Sequence, residues 1–93
     1  MNTLRSLCDR IFHGDKDEKI REDIITYARD HGREEMIEVD GVLHRGIKLQ
    51  VIIQSNPWYS VNVLIDDHLK RATVDISTIG TRPLMYHYEK QLS

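Results

Sequence analysis

The chain has 93 residues, a length that supports one domain and is too short for two. Its formal net charge of -2 is close to neutral, which argues against a basic nucleic-acid-binding protein and against a strongly acidic mimic of nucleic acid. An apolar fraction of 40% beside a charged fraction of 30% is typical of a folded soluble protein and argues against disorder.

Cys8 is the only cysteine, so the chain cannot form an internal disulfide, and a reducing compartment is its natural setting. On an N-terminal helix, Cys8 is expected to be a small buried apolar group. Arg5, Asp9 and Arg10 interrupt the apolar segment that a secretory signal needs. Because no apolar stretch approaches the ~20 residues that cross a bilayer, we expect a cytoplasmic protein without a membrane partner.

Two helices are expected in the first third of the chain. The first ends at Gly14, and the second begins with Asp15 and Glu18, whose spacing resembles a capping box. Charges of both signs on the second helix indicate a solvated face. The apolar stripe of the first helix follows helical spacing at Leu4, Leu7, Cys8, Ile11 and Phe12. The stripe of the second helix comprises Ile20, Ile24, Tyr27, Ala28 and His31.

An antiparallel sheet follows, because apolar residues alternate with polar ones between segments of turn residues. The dipeptide Asp40-Gly41 suits a two-residue type I′ turn, which places Val39 opposite Val42. Four strands are predicted, over residues 35–39, 42–54, 59–66 and 71–77.

Gly46 is predicted to carry a β-bulge. Before it, the hairpin places the even-numbered residues Val42 and His44 on the apolar face. After it, the apolar residues are odd-numbered and begin at Ile47. One regular strand cannot change face in this way, whereas the extra residue of a bulge reconciles the two patterns. Glycine is the residue expected at such a point.

The other two hairpins can be paired without a bulge. Pairing Ile53 with Tyr59 aligns the apolar residues of the second and third strands. Pairing Ile65 with Ala72 does the same for the third and fourth strands. One continuous apolar face results, and the two N-terminal helices are its expected cover.

The C-terminal segment is predicted to form a short helix. Leu84, Tyr88 and Leu92 are spaced four apart, and Pro83 precedes them at a position where a first helical turn tolerates proline. An extended tail is the alternative. The expected fold is therefore α+β: two N-terminal helices packed on a four-stranded antiparallel meander sheet, with a short C-terminal helix, in a single domain over residues 1–93.

The outward face of this sheet is the expected binding surface. Ile52 and Leu64 are apolar on an otherwise polar face, which resembles a small interface centre with a polar rim. Trp58, in a turn, is expected to cap the edge of the core, with a contact anchor as the alternative. The predicted binding residues are Lys48, Gln50, Ile52, Asn62, Leu64, Arg71 and Thr73.

No catalytic or metal-ligand motif stands out. The five histidines form no His-x-x-x-His pair, and no Cys-x-x-Cys accompanies them. The densest ligand-like cluster, Asp66-Asp67-His68, falls where a hairpin turn favours Asp, so a structural role is expected. We therefore expect no catalytic residues, no metal and no cofactor.

By elimination, the expected function is that of a non-enzymatic small protein that binds a macromolecule, most readily another protein. An inhibitor that a mobile element directs against a host defence complex, such as an anti-CRISPR or anti-restriction protein, is one form of this hypothesis. A homodimer is compatible with it. The first alternative is a nucleic-acid-binding accessory protein that uses Arg5, Arg10, Lys48, Lys70 and Arg71. The second is a small enzyme that uses Asp66, Asp67, His68 or His44.

Overall fold

Two helices pack on one face of a five-stranded antiparallel sheet in a computed structural model that describes residues 3–15 and 17–92. The predicted α+β class is confirmed, but the number of strands and the C-terminal helix are wrong. The strands follow one another across the sheet in chain order. The elements are α1 (Leu4–Phe12), α2 (Glu18–His31), β1 (Arg33–Val39), β2 (Val42–Ile53), β3 (Trp58–Asp66), β4 (Arg71–Ile79) and β5 (Met85–Gln91).

Side-chain caps set the beginning of both helices. The hydroxyl of Thr3 accepts a hydrogen bond from the amide of Ser6 at 3.1 Å, and the carboxylate of Asp17 accepts one from the amide of Lys19 at 3.1 Å. Asp17, rather than the predicted Asp15, therefore caps α2. Short polar side chains of this kind satisfy amides that have no partner within the helix.

The hairpin between β1 and β2 has the predicted turn. Asp40 and Gly41 both have positive φ, at 51° and 80°, as a type I′ turn requires. Pairing then runs one for one from Val39–Val42 to Arg33–Lys48. The predicted bulge at Gly46 is therefore wrong in this ladder, all of whose residues the structure describes.

Gly46 allows the side chain of Ile37 to lie close to the backbone of β2, and it does not form a bulge. The hairpin places Ile37 on the face of the sheet away from the helices, and its Cδ1 atom occupies the space that a Cβ at position 46 would fill. Before Gly46 the partly buried apolar residues Ile37 and Val39 lie on the face away from the helices, whereas Leu49 of β2 is buried on the helix side. The strand itself stays regular.

The predicted registers of the other hairpins are confirmed. Ile53 pairs with Tyr59, and Ile65 pairs with Ala72. The inward residues of β2, β3 and β4 form one core with the apolar stripes of both helices. Its most deeply buried members include Leu7, Ile20, Ile24, Tyr59, Val61, Ile65 and Ile76.

The C-terminal segment forms β5 rather than a helix. A spacing of four fits a strand as well as a helix, because every second strand residue lies on one face. On β5 that inward face carries Tyr86, Tyr88 and Lys90. The Nε of Arg21 on α2 donates a hydrogen bond to the hydroxyl of Tyr86 at 2.7 Å. The other two side chains reach Glu18, so β5 extends the sheet beneath α2.

Among the described residues, neither helix has the length and apolar character needed to cross a membrane.

Candidate interaction surface

The face of the sheet away from the helices, called here the outer face, is uncovered by any other described element. Its side chains stand in rows that cross β2 to β5. One row consists of Ile52, Ser60, Ser77 and Met85. The next row consists of Gln50, Asn62, Asp75 and His87. A third consists of Lys48, Leu64, Thr73 and Glu89.

Four large apolar side chains are exposed at one end of this face. We call them the apolar end: Ile52, Trp58, Ile79 and Met85. Trp58 pairs with Ile79 beyond the first row, and two small serines separate Ile52 from Met85 within it. Ile52 is 63% exposed and Met85 is 83% exposed. Three strand spacings of about 4.8 Å place these two residues about 14 Å apart.

Trp58 is not part of the core edge. It begins β3 on the outer face and is 46% exposed, so the prediction that it caps the core is wrong. The alternative, a contact anchor, fits its position, because exposed tryptophan is enriched at the centres of protein interfaces. Its partner across the strands is Ile79, another member of the apolar end.

Two shallow grooves adjoin on the outer face. The larger has a volume of about 350 Å³, and β1 bounds one side of it. The smaller, of about 290 Å³, adjoins β5. Residues that line the larger groove include Ile37, Lys48, Asn62, Leu64, Thr73 and Asp75. The smaller groove shares Asn62 and Asp75 and adds Ser77, Met85 and His87.

The structure brings four of the seven predicted binding residues together, namely Lys48, Asn62, Leu64 and Thr73 in the larger groove. Gln50 lies in the polar row, and Arg71 pairs with Asp66 near the other end of the outer face. Ile52 and Leu64 do not form one centre. Leu64 is four residues along β3 from Ser60, the partner of Ile52, which corresponds to about 13 Å.

An ion pair crosses the two C-terminal strands within the polar row. The Nδ1 of His87 lies 2.6 Å from the carboxylate of Asp75, and its Nε2 lies 3.8 Å from the carboxylate of Glu89. The hydrogen bond to Asp75 is the main cause that raises the pKa of His87 above its ordinary value, and Glu89 adds a smaller contribution. A histidine was not predicted at this site, because the sequence interpretation placed His87 on a helix.

The structure brings together three of the four residues of the enzyme alternative, Asp66, His68 and His44, but not Asp67. One carboxylate oxygen of Asp66 accepts hydrogen bonds from the amides of His68 at 3.0 Å and Leu69 at 2.9 Å. The other oxygen accepts one from the Nε2 of His44. The rings of His44 and His68 are tilted against each other with centroids 5.0 Å apart. Asp67 points away and pairs with Arg29 at 2.9 Å.

Both carboxylate oxygens of Asp66 are engaged by these contacts. Burial alone raises the pKa of Asp66, but the amide of Leu69, His44 and the amide of His68 together outweigh it and lower that pKa. The Nδ1 of His44 is buried and has no hydrogen-bond partner among the described residues. Within the described part of the chain, no group of three His, Cys, Asp or Glu side chains is placed to hold a metal ion.

The basic residues proposed for nucleic-acid binding do not meet on one surface. Arg5 and Arg10 lie on α1, on the helix side of the sheet, and each pairs with an aspartate there. Lys48 and Arg71 lie on the outer face, and Lys70 lies in the turn before β4. A continuous basic surface of the kind that tracks a phosphate backbone does not result.

No known protein family, curated protein or solved structure matches this chain.

Proposed function

We propose that this chain is a non-enzymatic binding protein whose target is another protein, and that the outer face is its contact surface. The observation that carries the proposal is the apolar end, defined above as Ile52, Trp58, Ile79 and Met85. These side chains are exposed together on a face that no described element covers. A group of exposed large apolar residues bordered by polar ones is typical of interaction sites.

The neighbouring grooves supply the polar rim that such a contact needs. Beside the apolar end lies the row of Gln50, Asn62, Asp75 and His87, whose side chains can donate or accept hydrogen bonds. A partner that buried both the apolar end and this row would bury an apolar centre and satisfy polar groups around it. That arrangement favours a protein over a nucleic acid, whose phosphates need a basic surface.

Affinity capture with a matched pair of variants tests the proposal. Tagged wild-type protein, the Ile52→Asp variant and the Leu43→Asp variant are incubated with a lysate of the native host, with and without nuclease treatment, and bound proteins are quantified by mass spectrometry. Leu43 and Ile52 are both 63% exposed and both lie on β2, but only Ile52 is on the outer face. The two substitutions therefore add the same charge to the same strand at equal exposure.

The expected result is a stoichiometric partner that wild type and Leu43→Asp both retain and that Ile52→Asp loses. The captured partner is then purified, and its affinity for the three proteins is measured directly. Loss of binding by both variants, or by neither, would show that the outer face is not the contact surface. Recovery that depends on nucleic acid would contradict a protein target.

A more specific form of the proposal is an inhibitor of a host defence complex, of the anti-CRISPR or anti-restriction kind. Its support is the small size of the chain and the absence of any catalytic motif in the sequence. Expression of wild type in a host with an active defence system should raise the recovery of restricted phage or plasmid, and Ile52→Asp should not. Unchanged restriction across several defence systems contradicts this form and leaves the general proposal to the capture experiment.

A further inference from the structure

The two edges of the sheet differ in how they are protected from pairing with another strand. An exposed edge strand offers unpaired amides and carbonyls, and proteins commonly guard it with charges, proline or bulges. The β1 edge carries Glu34, Glu35 and Glu38, all of them exposed. The β5 edge has no proline, and its pairing with β4 runs one for one from Ser77–Met85 to Arg71–Gln91.

The one lysine of β5 is directed away from the free edge. The Nζ of Lys90 lies 3.1 Å from Glu18 and 3.3 Å from Glu22, both on α2. It therefore does not place an unpaired charge on the edge, which is the usual way in which lysine blocks pairing. The β5 edge is consequently the less guarded of the two.

Symmetry and the pleat restrict how two copies of β5 could pair. A two-fold axis perpendicular to the sheet makes the strands antiparallel and keeps each side chain on its own face, so residues that oppose each other must share a face. The axis must then run midway between a residue and the same residue of the other copy, so that this residue faces itself. For Met85–Gln91, the register that pairs all seven residues has Tyr88 at its centre.

This central register is electrostatically complementary. It sets His87 of one copy opposite Glu89 of the other, twice by symmetry, on the outer face. On the inward face it sets Tyr86 opposite Lys90, again twice. The side chains of His87 and Glu89 are each 57% exposed, so a partner strand can reach them while the Nδ1 of His87 keeps its hydrogen bond to Asp75. Opposite charges in facing positions stabilise a strand pair.

The corresponding register of β1 is repulsive. Its central residue is Met36, and full pairing of Arg33–Val39 with itself sets Glu34 opposite Glu38 twice. Like charges in facing positions destabilise a strand pair. The same symmetry operation therefore favours association at one edge of the sheet and opposes it at the other.

We infer that two copies of this chain associate through their β5 strands, antiparallel and centred on Tyr88, to form one continuous ten-stranded sheet. The partner is a second copy because, when β5 pairs with itself in the antiparallel direction, His87 of each copy faces Glu89 of the other. The outer faces of the two copies then form one surface. This inference rests on the edge strand and is independent of the proposed protein target.

Disulfide trapping tests the register with a matched control. Facing Cα atoms of antiparallel strands lie about 4.5–5.5 Å apart, within the range of about 4.4–6.8 Å that a disulfide spans. Tyr88→Cys should therefore form a covalent dimer under mild oxidation. Tyr86→Cys, on the same face of the same strand, should not, because its counterpart lies four residues along, at about 13 Å. The native thiol of Cys8 is fully buried and should not contribute.

Charge variants test the same contact without a cysteine, by sedimentation equilibrium over a concentration series at a pH near 6. Glu89→Lys should weaken the wild-type dimer about tenfold, because two attractive pairs become repulsive. Adding His87→Glu to that variant should restore association, since the facing charges are then opposite again. Glu35→Lys, a reversal on the β1 edge at a position that faces the uncharged Ile37 in the central register of that strand, should leave the dimer unchanged. Circular dichroism verifies that each variant is folded.

The inference is overturned if the wild-type protein remains a monomer up to millimolar concentration. It is also overturned if the dimer forms but is insensitive to Glu89→Lys, or if Tyr86→Cys forms the disulfide in preference to Tyr88→Cys. Because none of these measurements requires the unknown target, their failure is separate from any failure of the proposed function.

Discussion

Ile37 of β1 lies over Gly46 of β2 and fills the space where a side chain at position 46 would stand. A Cβ on Gly46 would also lie 2.7 Å from the carbonyl oxygen of Ile65, which is backbone and cannot move aside easily. The contact allows the N-terminal hairpin to fold toward the outer face and to form one wall of the larger groove.

Replacing Gly46 with alanine should therefore destabilise the protein. Ile37 can change rotamer, but the Ile65 carbonyl cannot, so we expect a loss of about 1–3 kcal/mol in the free energy of unfolding. Gly80→Ala is the control, because a Cβ at Gly80 meets no atom within 4 Å. Urea unfolding of both variants measures the difference. Equal stability of the two would mean that the hairpin does not make this approach.

Asp66 and Asp67 are neighbours with very different contacts, so their alanine variants should differ. Asp66→Ala leaves two turn amides and the Nε2 of His44 without their acceptor, which should cost about 2–3 kcal/mol. Asp67→Ala removes only a surface ion pair with Arg29 and should cost less than ~1 kcal/mol. Thermal and chemical unfolding provide the comparison, and similar losses for both would contradict the structural role of Asp66.

The stabilities of Asp66→Ala and Asp67→Ala should also depend differently on pH in the acidic range. Because the pKa of Asp66 is lowered by folding, its contribution to stability is present above the ordinary pKa of an aspartate and is lost as pH falls through the folded value. Wild type should thus lose stability on acidification more steeply than Asp66→Ala over that range. The hydrogen bond with Arg29 lowers the pKa of Asp67 as well, but this carboxylate is half exposed, so Asp67→Ala should change the slope less than Asp66→Ala. A pH series of unfolding curves measures the slopes.

His87 should titrate above the ordinary range of histidine. Asp75 is its closer partner, at 2.6 Å against 3.8 Å for Glu89, so Asp75→Asn should lower the pKa of His87 more than Glu89→Gln. Raised in the folded state, this pKa adds stability that is complete below the ordinary value and is lost as pH rises through the folded one. A two-dimensional NMR titration of the imidazole resonances, done at a concentration where the protein is monomeric, measures the pKa of His87 in the wild type and in both variants. The reverse order of the two variants would contradict the observed pairing.

The single tryptophan provides a probe of the outer face. Trp58 is 46% exposed within the apolar end, so acrylamide should quench its fluorescence in the free protein. Binding of a target to this face should shift the emission to shorter wavelength and protect the ring, because the indole becomes desolvated. Emission that stays unchanged in a saturated complex would place the contact elsewhere.

The hairpin registers could be predicted from sequence because their determinants are local. Asp40-Gly41 defines one turn, and the alternation from Ile47 to Ile76, with Ile52 and Leu64 as exceptions, excludes pairings shifted by one residue, because these would turn the apolar residues to the outer face. Gly46 was misinterpreted because its reason is a contact with Ile37 on another strand, which periodicity along one strand does not contain. The change of apolar face was real, but its cause was tertiary.

The candidate surface was only partly predictable for a related reason. The outward residues of β2 to β4 followed from alternation, but Met85 and His87 were assigned to a helix because Leu84, Tyr88 and Leu92 fit a period of four. The alternation of Tyr86, Tyr88 and Lys90 was the signal that could have identified β5. Without β5, neither the apolar end nor the less guarded edge can be recognised.

The order of the elements along the chain has a consequence for synthesis. Both helices are complete at His31, yet the strands that cover their apolar stripes end only at Asp66 and Ile79. At about 5–20 residues per second, the apolar stripes of the helices stay uncovered for a time on the order of a few seconds, until the ribosome has synthesised the strands that pack on them. Each hairpin can close as soon as its second strand emerges, because every strand pairs with its neighbour in the chain. The nascent chain should therefore be most prone to aggregate, and most in need of a chaperone, between the helices and the third strand.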